Sequence, residues 1–183
     1  MKLNIREIAI FGMLGALMFA SKILCEALPN IHLLGMMIVT VALVFRAKAL
    51  YPLYIFVLIS GVFYGFSTWW LPYLYIWTVL WALTMLIPDN KLPEKAKPFV
   101  YGFVCGLHGI LYGVLYAPAQ ALLFGLNFDG MLAWIVAGFP FDAIHGLSNL
   151  IVGLVLIYPL SKVLKRLNEN IIRKKPEQYG TVK

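Results

Sequence analysis

Asp142, His145 and Asn149 stand at i, i+3 and i+7 in the run Gly138-Phe-Pro-Phe-Asp-Ala-Ile-His-Gly-Leu-Ser-Asn149, most of whose other positions are apolar. At about 100° per residue these three side chains fall within an arc of about 60° on one helix face. That face carries a carboxylate, an imidazole and a carboxamide, a set able to exchange a proton or to hold a polar ligand through both donors and acceptors. In lipid an ionisable group at mid-helix costs about 2.5–3.5 kcal/mol on insertion scales, so such a face turns towards a bundle interior or a cavity and finds a partner or a ligand. Pairing of Asp142 with His145, or capping of a neighbouring helix, would satisfy the same residues without any ligand.

The elements that must position this face are membrane helices. Of the 183 residues, 62% are hydrophobic and 13% charged, against about 45–50% and about 25% in an ordinary soluble domain. Apolar segments run over residues 5–24, 31–45, 50–66, 71–87, 99–124 and 131–160. A spanning helix needs about 20 residues. Six spans and an all-α bundle follow for residues 1–160, with residues 161–183 as a basic cytoplasmic tail, solvated and frayed. The second span is short unless it starts before Leu33, bent at Pro29, or lies beside a loop that dips into the bundle. The first helix is followed by no small-residue cleavage signal and is expected to stay.

The formal charge of +7 is distributed topologically. With the N-terminus inside, every Lys and Arg but Lys22 falls in an inner segment, a positive-inside pattern that puts both termini in the cytoplasm and the chain in the cell membrane as a multi-pass protein. Nucleic acid is not indicated, because the basic residues flank apolar segments and do not interleave with aromatics in a soluble domain. Cys25 and Cys105 lie in apolar stretches without a CxxC or Cys/His spacing, so neither a disulfide framework nor a zinc site is expected.

Other positions add detail. Gly12, Ala16 and Ala20 make a small-residue ridge on the first helix, open either to bundle packing or to a second subunit. Gly102, Gly106, Gly109 and Gly113 form a close-packing stripe on the fifth, where Pro118 would bend the helix and turn Gln120 towards a cavity. Trp69, Trp70, Tyr73, Tyr75 and Trp77 read as an interfacial belt, with stacking on a flat ligand as the competing use. Lys22 and Glu26 are spaced for an i, i+4 ion pair. No HExxH, G-x-S-x-G, Walker A or dinucleotide signature is present, so the chain is read as no enzyme, with no cofactor and no metal. His32, His108 and His145 sit on separate segments and would have to converge to hold an ion.

Over residues 1–160 the chain resembles the substrate-binding S components of energy-coupling factor transporters. Ala16-x-x-x-Ala20 matches that family's small-residue docking motif. Gly138-Phe-Pro-Phe-Asp-Ala-Ile-His-Gly is similar to the stretch that opens the sixth helix in several members. The resemblance implies capture of a vitamin-like small molecule from outside and delivery by toppling, with a transmembrane coupling subunit and two cytoplasmic ATPases as partners. It implies that Asp142 and His145 contact substrate, with Asn149 one turn deeper, although riboflavin-type members have asparagine and lysine at the first two positions. On this reading Gln120 and Trp70 line or cover the ligand, and Gly12, Ala16 and Ala20 form the docking ridge. A carboxylate facing the cavity would favour an amine or a protonated heterocycle. The competing readings are a membrane scaffold without a transported ligand and an intramembrane enzyme using Asp142 and His145 as acid and base.

Overall fold

The computed structural model describes residues 3–28 and 30–172, and among them every regular element is helical. Five helical stretches are long and apolar enough to cross a membrane: Ile5–Leu24, Leu34–Tyr64, Trp70–Lys91, Lys97–Phe124 and Phe128–Asn170.

Helix α1 (Ile5–Leu24) opens on a capping box. Asn4 Oδ1 accepts the Glu7 N–H at 2.8 Å and the Asn4 N–H donates to Glu7 at 3.0 Å, which satisfies two otherwise orphaned groups. The second stretch holds α2 (Leu34–Phe45) and α3 (Leu50–Tyr64), separated by a 3-10 turn, Arg46–Ala49. Arg46 takes φ 54°, and the chain reverses there. Lys48, in that turn, pairs with Glu7, so α3 starts beside the start of α1. The two then run alongside each other, with Phe11 stacked on Tyr51 at 5.9 Å and Phe19 edge-on to Phe63 at 5.2 Å. Gly15 makes the approach possible: a Cβ there would lie 2.7 Å from Ile55 Cβ and 3.0 Å from the Pro52 carbonyl.

Helix α2 is buried on nearly every side, against α4 (Trp70–Leu86), α5 (Lys97–Ile110) and α7 (Phe128–Leu167). An apolar sequence with no polar stripe is compatible with that central position. Its 12 residues span about 18 Å, short of the roughly 30 Å hydrocarbon core. Helix α2 starts at Leu34; before it Glu26, Ala27, Leu28 and Ile31 are exposed and Asn30, His32 and Leu33 half-buried, and Pro29 lies outside the described residues.

The fifth apolar segment is not one rod bent at Pro118. It breaks at Leu111 into α5 and α6 (Tyr112–Phe124), and α6 runs through Pro118 to end on Gly125 at φ 66°. Pro118 costs α6 one intrahelical bond without ending it, whereas the glycines on either side of Leu111 weaken the backbone there. Asn127 caps α7 by accepting the Gly130 N–H at 2.8 Å. Helix α7 continues past residue 160 to Leu167, with a π-type turn over Asn168–Ile172, so the first part of the expected tail is helical. Lys165 and Arg166 suit the carboxyl end of the helix dipole. Residues 173–183, with Lys174, Lys175 and Pro176, lie outside the described set.

Candidate functional site

Helices α5 and α7 meet backbone to backbone. A Cβ on Gly146 would lie 2.9 Å from Ile110 N and 3.0 Å from the Gly106 carbonyl, and one on Gly153 would lie 3.0 Å from Gly102 Cα. The glycine stripe read from the sequence is therefore this seam, and it presses the polar face of α7 against α5 and α2. Above the seam the α5–α6 break exposes an amide. Gly113 N–H, in the first turn of α6, has no intrahelical partner by position and donates to Asp142 Oδ2 at 3.1 Å. Gly113 has to lack a side chain, because a Cβ would overlap that carboxylate. Asp142 thus meets the amino end of α6, where the helix dipole favours negative charge.

His145 and Asn149 are used differently. His145 is buried and its Nε2 has no hydrogen-bond partner among the described residues. Asn149 is 1% exposed, and neither its Oδ1 nor its Nδ2 is paired there. Its amide lies in a notch that two glycines create, close to Gly35 of α2 and 2.9 Å from where a Cβ of Gly109 would stand. From the α1–α2 connection His32 sets its ring edge-on to His145 at 4.3 Å, and its Nδ1 is also unpaired. Burial, then the nearby Lys22 charge, push the His32 imidazole down to about 4, so it is neutral at physiological pH. Ser148 ties the same connection down by donating to the Asn30 carbonyl at 3.2 Å.

A continuous file of rings walls this cluster. Trp69, Tyr73 and Trp77 follow one another at 5.2 and 5.5 Å along one face of α4. Trp77 meets Tyr112 at 5.7 Å and His108 at 5.8 Å, and Tyr112 meets His145 at 5.2 Å. Tyr116, one turn further along α6, stacks on Trp134 at 5.7 Å. Trp77 is 1% exposed with an unpaired Nε1, and His108 bonds the Ile76 carbonyl through Nε2 at 3.0 Å but leaves Nδ1 unpaired. The expectation of an aromatic belt is corrected for this face of α4: Trp77 faces protein and not the lipid interface, because its stripe is the one that turns to α5 and α6.

The other expected residues are placed as follows. Trp70 points away from the cluster, donates its indole N–H to the Val57 carbonyl at 2.8 Å and packs against Phe66. Gln120 is half-buried on α6, continuing the stripe of Tyr112 and Tyr116. Gly12 has open space where a Cβ would go, and Ala16 and Ala20 are exposed, so the ridge is not used in internal packing; Gly15 carries the contact to α3. Lys22 does pair with Glu26, at 3.5 Å, and lies over the Tyr64 ring at 3.8 Å, while Tyr64 donates to Glu26. Cys105 is buried and Cys25 half-buried, both free. His32 and His145 converge, but among the described residues no group of three or more His, Cys, Asp or Glu side chains is arranged to hold a metal ion.

Sequence reasoning gave Tyr73 and Trp77 ligand stacking only as the competing use and His32 only as one of three histidines that would have to converge, and it missed Tyr112 and Tyr116 as wall residues. The i, i+4, i+8 spacing of Trp69, Tyr73 and Trp77 was the available signal, since a belt needs no helical period. At the opposite end of the bundle Lys97 binds Glu94 at 2.7 Å and Asp89 at 3.4 Å, Tyr101 donates to Asp89 at 2.8 Å, and Tyr158 donates to Glu94. In comparisons with protein-family models, with curated proteins and with solved structures, nothing matches this chain.

Proposed function

We propose that this chain is the substrate-capture subunit of an energy-coupling-factor-type importer, binding a vitamin-like small molecule from outside in the recess between α4, α6, α7 and the α1–α2 connection. On this reading the bundle crosses the cell membrane six times, α2 counting as a short crossing, with both termini in the cytoplasm. One observation supports it: His145, Asn149, Trp77, His108 and His32, on neighbouring elements, each keep a buried polar atom without a hydrogen-bond partner among the described residues. Leaving a buried polar atom unpaired costs about 1–3 kcal/mol, and several together are retained where a ligand supplies the missing bonds.

The chain carries no nucleotide-binding signature, so energy has to come from partner ATPases through a coupling subunit. The outward ridge of Gly12, Ala16 and Ala20 is a surface on which a partner helix can approach closely. The chain itself catalyses nothing on this reading, and it needs neither cofactor nor metal. Extraction of the purified protein with denaturing solvent, followed by mass spectrometry, should release one small molecule in near-stoichiometric amount. Affinity capture from native membranes should bring a transmembrane subunit and ATPases, and Ala16→Trp should abolish that capture at unchanged melting temperature. A protein that is empty and alone in both assays rejects the proposal in favour of a scaffold.

A further inference from the structure

We infer that a cavity at the basic end of the bundle, between the end of α2, the start of α5 and the last turns of α7, binds a phosphate group, carried by an anionic lipid or free in solution. The cavity measures about 120 Å³, with Asp89, Glu94 and Lys97 on one side and Tyr158, Lys162 and Lys165 on the other. At about 30 Å³ per water molecule it has room for about four waters, and so for one tetrahedral phosphate. It is separate from the recess beneath the α1–α2 connection, and nothing in the argument for it depends on what that recess holds.

Both acids of the cavity are matched, and that leaves cations over. Asp89 accepts from Tyr101 at 2.8 Å and from Lys97 at 3.4 Å, while Glu94 accepts from Lys97 at 2.7 Å and from Tyr158. Ser161 spends its hydroxyl on the Tyr158 carbonyl at 2.8 Å. Lys162, by contrast, reaches Glu94 only at 3.9 Å with its side chain 56% exposed, and Lys165 has no partner among the described residues. The two stand at i, i+3 on one face of α7, where like charges repel unless an anion lies between them. A phosphate oxygen accepts charge-assisted hydrogen bonds from both ammonium groups at once. From the α2–α3 turn the exposed Arg46 adds a further positive charge, near enough to act on the Tyr101 hydroxyl. The level is that of lipid phosphates, since Lys97 opens the stretch Lys97–Phe124 that is apolar enough to cross a membrane. Basic pockets between membrane helices at that level take anionic headgroups. On the same turns of α5 and α7, Phe99, Leu160 and Val163 are exposed and apolar, a surface suited to acyl chains.

The test titrates lipids onto the purified full chain in a maltoside detergent and reads occupancy by native mass spectrometry. One phosphatidylglycerol should bind about tenfold more tightly than phosphatidylcholine with the same chains. Lys162→Gln combined with Lys165→Gln should lower that affinity about tenfold at unchanged melting temperature of the lipid-free protein. Lys165→Gln alone, which breaks no contact, should lower it about threefold. Lys91→Gln combined with Lys95→Gln removes the same charge from exposed positions outside the cavity and should change it less than about twofold. Inorganic phosphate added in competition separates the two sources. If millimolar phosphate leaves the lipid bound, the headgroup is the ligand; if it displaces the lipid and needs the same two lysines, free phosphate is. The inference is overturned if the two lipids bind equally, if the cavity pair matters no more than the control pair, or if neither lipid nor phosphate binds.

Discussion

The two ends of this bundle treat polar side chains in opposite ways. At the basic end, where the α4–α5 connection meets the last turns of α7, acid and base are matched. Asp89 is bound by Lys97 and Tyr101, Glu94 by Lys97 and Tyr158, and Glu7 by Lys48. At the other end, beneath the α1–α2 connection, Asp142 is matched by the Gly113 N–H, but among the described residues His32, Trp77, His108, His145 and Asn149 each keep at least one buried polar atom without a partner. Matched groups fix one element to another and say little about function. The open ones are also far more buried than Asp89 and Glu94, so they are a cost that the fold carries, and on the capture reading they mark where something from outside the chain belongs.

The largest effect expected from this contrast comes from His145→Phe, which fills a similar volume and removes the unpaired Nε2. The co-purifying molecule should bind at least 100-fold more weakly, about 2.7 kcal/mol, while the ligand-free protein melts no lower. If the ligand is retained at full occupancy, the open end is not the binding end.

Next is Gly113→Ala, which drives a methyl group into the Asp142 carboxylate. A loss of about 2 kcal/mol in stability is expected by chemical denaturation. Gly138→Ala serves as its control, since a Cβ there would meet Asp142 Oδ2 only at an ordinary 4.0 Å. It should cost nothing measurable.

At the matched end, Tyr101→Phe removes a hydrogen bond to a charged acceptor. It should lower stability by about 1.5 kcal/mol and leave ligand retention untouched. The smallest effect is a pH dependence. Lys97, then Tyr158, hold the Glu94 carboxyl below its ordinary range. Its contribution is therefore present above the unfolded-state value and disappears as the pH falls through the lower folded one. Melting temperatures measured down that acid limb should decline less in Glu94→Gln than in the parent protein, with binding equal in the two.

The sequence made the polar face of α7 legible because i, i+3, i+7 spacing is a local property, and the glycine stripe of α5 for the same reason. It did not reveal what Asp142 is for. Its partner, Gly113, is 29 residues away and becomes a free donor only because the helix breaks at Leu111, a position with no proline to announce it. Trp70 and Trp77 illustrate the same limit. Both are tryptophans on nearly one face of α4, yet two turns along the helix the neighbours change, and one indole meets the Val57 carbonyl while the other joins the aromatic file. Aromatic content is visible in a sequence, whereas the neighbour that each ring meets is a tertiary fact. The open ridge of Gly12 and Ala16 was ambiguous between two uses until Gly15, three positions on from one and adjacent to the other, proved to be the residue in contact with α3.

The seam of Gly102, Gly106, Gly146 and Gly153 has a consequence for how such a protein diversifies. Since main chain, and not side chain, makes that contact, the positions that hold α5 to α7 are separate from those that present His108, His145 and Asn149. On the capture reading, chemistry in the recess could be rewritten by single substitutions while the clamp beneath it stays intact, and one scaffold would serve a range of cargoes with little penalty in folding.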